Sequence, residues 1–432
     1  MKTREKKNGN SYIKNLFFPP LQCNLIRPNF PSKSQQPNIS EDITIEILSR
    51  LPVKSLLRFK SICKCWHSLI SDSKFKFSCT RHQLIITSSF YSYAIDEVEE
   101  EGEVSLRQLP KPMEDMLGLL QILGSCNGLL LVNYSFYLYL WNPSTNQCRK
   151  VLKLLNSSPG DQVSSRVSDI SGLCYDSFAD DYKAVMVFGQ VALVVSLKTK
   201  HWYRIEFPYG GELKSGPVVD ERLHWLVAHR EIVCFDPWTE QFVQVPMPRD
   251  RNRILGLGVL EECLCMVQCF DCEIEVLVMK EYGVGESWTS LFNLFDNVVG
   301  QIHEMVSFCY TKHGEILISM DENQTLVYNP KEDSHRVIQI LNDDYYYVSA
   351  YEESLVSPSH YGDEGDWEEG RPEEVSDLIS ELDWDCDCGC CYGWYKRDIE
   401  DDHYINWEEE DMIDDCEKEF FRTRKTRNRN RI

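Results

Sequence analysis

Near the C-terminal end, four thiols fall within six residues, Cys386-Asp-Cys-Gly-Cys-Cys391. Thiolates hold a soft metal when Cys-x-x-Cys turns bring four sulfurs to a tetrahedron. Only Cys388 and Cys391 have that spacing, and His403 and Cys416 are the residues that can complete a set. These four are the candidate ligands, but an acidic tail with adventitious thiols is the simpler reading, so no structural metal and no cofactor is expected. Gly256-Leu-Gly258 is followed by no phosphate-binding pattern, and Gly283-Val-Gly285 reads as a turn. Both are expected to be hairpin glycines and not nucleotide loops. His201, His224 and His229 flank apolar runs and read as structural histidines. No nucleophile stands at a spacing that pairs it with a base, and no pair of carboxylates suggests acid–base work. Catalytic residues are therefore not expected.

The charge distribution narrows the partners. The 432-residue chain has a net charge of −23, yet residues 1–38 carry +6, residues 360–421 carry −20 and the last eleven +6. A globally acidic surface repels phosphate backbones, which argues against a general nucleic-acid binder. No stretch approaches the roughly 18 apolar residues of a membrane span. Behind the basic start, MKTREKKNGN, no apolar run is long enough for a signal peptide. Many of the 18 cysteines sit singly in apolar runs (Cys126, Cys174, Cys234, Cys263, Cys309), as small core hydrophobes do. A reducing compartment, cytoplasm or nucleus, is the expectation.

Two segments with different periodicity must position whatever the chain does. Across Ile39–Ile70, apolar residues recur at three and four. Ile43, Ile47, Leu48 and Leu51 form one helical face, and Leu56, Phe59, Cys63, Trp66 and Ile70 form one further stripe. Ser40 suits a cap for the first helix, Pro52 ends it and opens the next, and Asp72 suits a cap for one more turn through Phe77. A segment of about 40 residues cannot bury so many apolar side chains alone, so the surplus must meet a partner or the rest of the chain. Leu51-Pro-Val-Lys-Ser-Leu-Leu-Arg-Phe-Lys60, with Cys63 and Trp66, resembles the F-box of large plant families almost residue for residue. The family's usual Leu-Pro opening is Ile39-Ser40 here, which implies weaker docking at that edge.

From Gln83 the pattern changes to short apolar strands separated by turn signals, with Asp96–Pro112 read as a long charged loop. A strand–turn–strand unit recurs at Tyr139–Lys150, Val195–Ile205, Cys234–Val245 and Val327–Val337, and a longer hairpin runs from Val276 to Leu291. In three of the four units the turn opens on Asn-Pro or Asp-Pro, which suits the first two corners of a β-turn. Unit spacing is roughly 40 to 55 residues, as in four-stranded propeller blades. Leu123–Leu130, Gly172–Asp176 with Asp181-Tyr-Lys183, Leu223-His-Trp-Leu226, Val278–Gly283 and Ser354–Pro358 resemble the F-box-associated, kelch-like domain. Only one double glycine, Gly210-Gly211, is present, so closure into a ring and two packed sheets both stay open.

The chain thus reads as α+β and multidomain. A disordered basic segment (1–37) precedes a small all-α F-box (38–80), an all-β, propeller-like domain (83–358) and a disordered acidic tail (359–432). The resemblance implies docking to a Skp-family adaptor, and through it to cullin, by Ile39, Ile43, Ile47, Leu51, Pro52, Val53, Leu56, Leu57, Phe59, Ile62, Cys63 and Trp66. The β domain would capture a target protein for ubiquitination on other subunits. The alternatives are an F-box interaction protein outside any ligase and, less favoured, a propeller enzyme with an appended F-box.

Overall fold

A computed structural model describes residues 41–361 except 73–74, 76–81, 89–90, 99–103, 111–119, 135–136, 154–170, 249–251, 271–272, 296–304, 312, 321–323 and 340–345. Two compact units divide the chain between Ile47 and Leu48. Helix α1 spans Glu41–Ser49, α2 spans Val53–Phe59 and α3 spans Lys64–Ser71. The expected single stripe from Leu56 to Ile70 is in fact two helices. The chain turns at Lys60–Ile62, and Cys63 then lies extended (φ −154°, ψ 161°), its Sγ accepting from the Trp66 N–H at 3.4 Å. The stripe is only partly kept across that break: Leu56 and Ile70 are buried and Phe59 and Trp66 half-buried, while Cys63 is exposed. Pro52 does precede α2, as its missing N–H allows. Asp72 ends α3 as its C-terminal cap, and Ser40 lies outside the described residues.

The rest of the second unit is a propeller of six four-stranded antiparallel sheets. The first blade holds β1 His82–Ser88, β2 Ser92–Val98 and β3 Val104–Leu109, completed by β24 Tyr346–Glu352. The second comprises β4 Gln121–Cys126, β5 Leu129–Tyr134, β6 Tyr137–Asn142 and β7 Gln147–Lys153. The third comprises β8 Ser171–Asp176, β9 Asp181–Phe188, β10 Val191–Ser196 and β11 Trp202–Glu206. The fourth comprises β12 Leu213–Val219, β13 Arg222–Val227, β14 Glu231–Asp236 and β15 Gln241–Gln244. The fifth comprises β16 Arg253–Leu260, β17 Cys263–Phe270, β18 Glu273–Met279 and β19 Trp288–Phe295. The sixth comprises β20 Met305–Tyr310, β21 Ile316–Met320, β22 Gln324–Asn329 and β23 Ser334–Gln339.

Strands β24, β4, β8, β12, β16 and β20 each meet the next around the axis, and β20 meets β24, so the ring is closed. That removes the two-sheet alternative. Pairing of β24 with β1, from His82↔Glu352 to Ser88↔Tyr346, joins the two ends of the domain in one blade. Each gap between successive blades is filled by its own apolar cluster. Along β5, Leu129 and Leu131 face the third blade while Leu130 and Val132 face the first. Side chains alternate across a strand, so one covered on both faces is apolar except where a buried polar side chain finds partners, as Asp181 and Lys183 do in β9. Strand β9, buried at every position, is the extreme case.

The supposed loop Asp96–Pro112 contains β3, which pairs with β2. Its exposure explains the misreading: as an outermost strand it is half-solvated, and its sequence, VSLRQL, is correspondingly polar. Gly256 and Gly258 are not hairpin glycines either, since both lie within the innermost strand β16. A Cβ on Gly258 would stand 1.7 Å from Cδ2 of Phe308, so the fifth blade needs this gap to receive the sixth.

Candidate partner-binding surfaces

On α1, Ile43 and Ile47 are about half exposed, at 54% and 50%, and Ile39 lies outside the described residues. In the second unit, Leu57, Ile62 and Cys63 are exposed, while Leu51, Pro52, Phe59 and Trp66 are half-buried. The Phe59 and Trp66 rings meet edge to face at 5.2 Å, which fixes α2 against α3. Val53 and Leu56 are buried, at 1% and 0%, together with Ile70. They support the exposed set from beneath and offer no area of their own in this conformation. The basic residues Lys54, Arg58 and Lys64 are exposed on the same two helices. The Val53 N–H reaches Glu353 Oε2 at 3.5 Å, so the start of α2 is tied to the segment that follows β24.

A second surface is formed by the turns at one end of the blades. Asn142, Asp236 and Asn329 open these turns as their Asn-Pro and Asp-Pro pairs require, and Asp176 opens another without proline. The Asp236 Oδ1 accepts from the N–H groups of Trp238 (2.9 Å) and Thr239 (3.2 Å), and Asp176 Oδ1 accepts from Phe178 and Ala179 (3.0 Å each). Each turn closes on a left-handed residue: Asn146, Asp180, Glu240 and Asp333 have φ between 50° and 55°. Burial opposes charge on both aspartates, but these backbone donors, with Lys183 at Asp176 and Arg222 at Asp236, hold both carboxyls below their ordinary pKa.

Lys183 couples the third blade to the fourth. Its Nζ donates to Pro237 O (2.7 Å) and Glu240 Oε1 (2.9 Å) and pairs with Asp176 Oδ2 (2.9 Å). Burial alone would lower its pKa, and the bonds to Glu240 and Asp176 overcome this and raise it. Asn142 does similar work between the second blade and the chain after β24, donating from Nδ2 to Val356 O at 2.7 Å and Ser354 O at 3.1 Å. His224 is fully buried: Nδ1–H donates to Pro217 O (3.0 Å), and Nε2 accepts from Tyr282 Oη–H (2.8 Å). Burial lowers its pKa to about 4. Cys126, Cys174, Cys234, Cys265 and Cys309 are buried free thiols, and burial pushes Cys265 and Cys309 up to about 12. The thiol and histidine candidates Cys388, Cys391, His403 and Cys416 lie outside the described residues.

Sequence reasoning missed two exposed aromatics, Phe178 and Trp238, each at the third position of an Asp-opened turn. That position was the available signal: a turn tip has no core for a large side chain to enter.

Residues 81–361 match the family described as the F-box associated beta propeller domain, and residues 37–78 match the F-box domain. The chain is an F-box protein of the F-box-associated propeller family. F-box domains generally bind Skp-family adaptors, and an F-box joined to such a propeller fits a family of non-catalytic adaptors. Among its relatives, F-box/kelch-repeat protein At3g23880 of Arabidopsis thaliana is 30% identical over 60% of this chain and 79% of its own length. F-box protein CPR1 of the same plant is 29% identical over 67% of this chain and 79% of its own. F-box protein At3g07870 of that plant is 24% identical over 68% and 85%.

Proposed function

We propose that this F-box protein is the substrate-recognition subunit of a Skp–cullin–F-box ubiquitin ligase, acting in the cytoplasm, the nucleus or both. The exposed apolar side chains of α2 and the turn after it, Leu57 and Ile62 beside the Phe59–Trp66 pair, carry this reading. Apolar side chains presented beside bases suit an adaptor with an apolar, acid-rimmed groove, the bases speeding encounter more than strengthening the complex. The propeller would hold a target while transfer occurs on other subunits, so its contribution is proximity and orientation. No serine, cysteine or histidine of this chain is assigned a chemical step.

The test is co-expression with a plant Skp-family adaptor, with and without residues 39–80. Co-purification that needs those residues, with cullin in the same complex, is the expected result. Adaptor without cullin would mean a role outside the ligase. Truncating a buried aromatic anchor typically costs upwards of about 2 kcal/mol, so Trp66→Ala should weaken adaptor binding by about tenfold or more. Unchanged affinity in a folded variant would remove Trp66 from the interface.

A further inference from the structure

Phe178 is 91% exposed and Trp238 is 63% exposed, although both belong to side-chain types that folding ordinarily covers. Neither is on a loose segment. Their backbone N–H groups are tied to Asp176 and Asp236, and the turns close on Asp180 and Glu240 in the left-handed conformation. The two turns belong to neighbouring blades and share one acceptor. Glu221 Oε2 accepts from Ser177 Oγ at 2.9 Å and from Trp238 Nε1 at 3.2 Å. Both donors are neutral, and among the described residues no cation pairs with Glu221. The nearby cations are engaged elsewhere: Lys198 pairs with Asp180 at 3.0 Å, and Arg222 pairs with Asp220 and Asp236.

We propose that this face of the third and fourth blades, with Phe178 and Trp238 on the two turns that bond Glu221, docks an arginine- or lysine-containing peptide segment of a captured protein. The inference rests on reading the propeller as the target-binding half. A cation placed at Glu221 neutralises its charge and meets the electron-rich faces of the rings, which favour a guanidinium most. Turns already rigid before binding lose little freedom when a peptide arrives. An acidic segment is repelled by Glu221, the carboxylate of this face that no described cation neutralises, so the charge selects one sign of partner.

The experiment is fluorescence anisotropy of a labelled peptide of alternating arginine and glycine, titrated with the full chain. Residues 360–421 carry a net charge of −20 and will attract the same peptide. The readout is therefore the difference between the natural chain and its variants, all of which retain that segment. Phe178→Ala with Trp238→Ala, and separately Glu221→Gln, should each weaken binding by about tenfold or more. Phe178 and Trp238 are exposed, and glutamine keeps an acceptor oxygen for the two bonds that the half-buried Glu221 receives. Affinity unchanged in both variants would overturn the assignment. So would peptide binding that tightens by a similar factor when residues 422–432 are removed, because the face would then belong to the chain's own basic end. Adaptor co-purification is measured on the same variants and should not change, so failure of this inference is distinguishable from failure of the ligase reading.

Discussion

His224 shows how a single residue's surroundings decide its charge. A second proton would place a cation in a fully buried site whose partners, a tyrosine hydroxyl and a carbonyl, carry no compensating charge. Its pKa falls from 6.5 to about 4 through burial. The unfolded chain therefore binds more protons than the folded one between those values. Stability from this group is fully present above pH 6.5 and is lost as the pH falls towards 4, a change of roughly 3 kcal/mol. In His224→Gln, the thermal midpoint should decline less steeply across that window than in the natural chain. An identical slope would show that another group titrates there.

At the scale of elements, the repeated turn does more than reverse the chain. Its opening Asp or Asn satisfies backbone donors, and in the third and fourth blades the turns also receive Lys183. That lysine is 8% exposed and its partner Asp176 is 7% exposed, whereas Glu240 is 41% exposed. Removing one partner of a buried pair costs about 3–5 kcal/mol, while an exposed pair contributes about 1 kcal/mol or less. Lys183→Met should therefore lower the urea midpoint markedly, and Glu240→Gln only slightly. Equal effects would place the coupling at Glu240 and not at Asp176. The helices follow the same logic on a smaller scale: Val53, Leu56 and Ile70 are spent on holding α2 and α3, which leaves Leu57, Ile62 and the Phe59–Trp66 edge for a partner.

For the whole molecule, the decisive feature is that β24 completes the blade that β1 begins. Without β24, β1 would present an unpaired edge, and the clusters on both sides of the first blade would open to water. A chain ending at residue 345 should lose cooperative unfolding, with a broad transition and aggregation. A chain ending at residue 361 should keep it, because Leu355 and Val356 are buried and Tyr361 packs edge to face on Tyr182 at 5.0 Å. A sharp transition in the shorter chain would show that the ring does not depend on this closure.

Sequence alone determined what depends on neighbours in the chain. Helical spacing and Pro52 marked the F-box segment, and the Asn-Pro and Asp-Pro turns marked the blades by their interval. Largely apolar runs marked the inner and middle strands, because burial on both faces admits a polar side chain only where it finds partners, as at Lys183 and His224. The outer strand β3 was not legible, since a half-solvated strand of six residues has little pattern to show, whereas β15 was legible only as the second arm of the unit at Cys234–Val245. Tertiary structure alone decided the number of blades, the closure by β24 and the gap at Gly258 that receives Phe308. It also decided which F-box side chains face outward. Val53 and Leu57 are both apolar and one turn apart on α2, yet one is buried and the other exposed. The meeting of the Phe178 turn with the Trp238 turn depends likewise on two blades: the turns are distant in sequence, and only the packing of one blade on the next brings both to the carboxylate of Glu221.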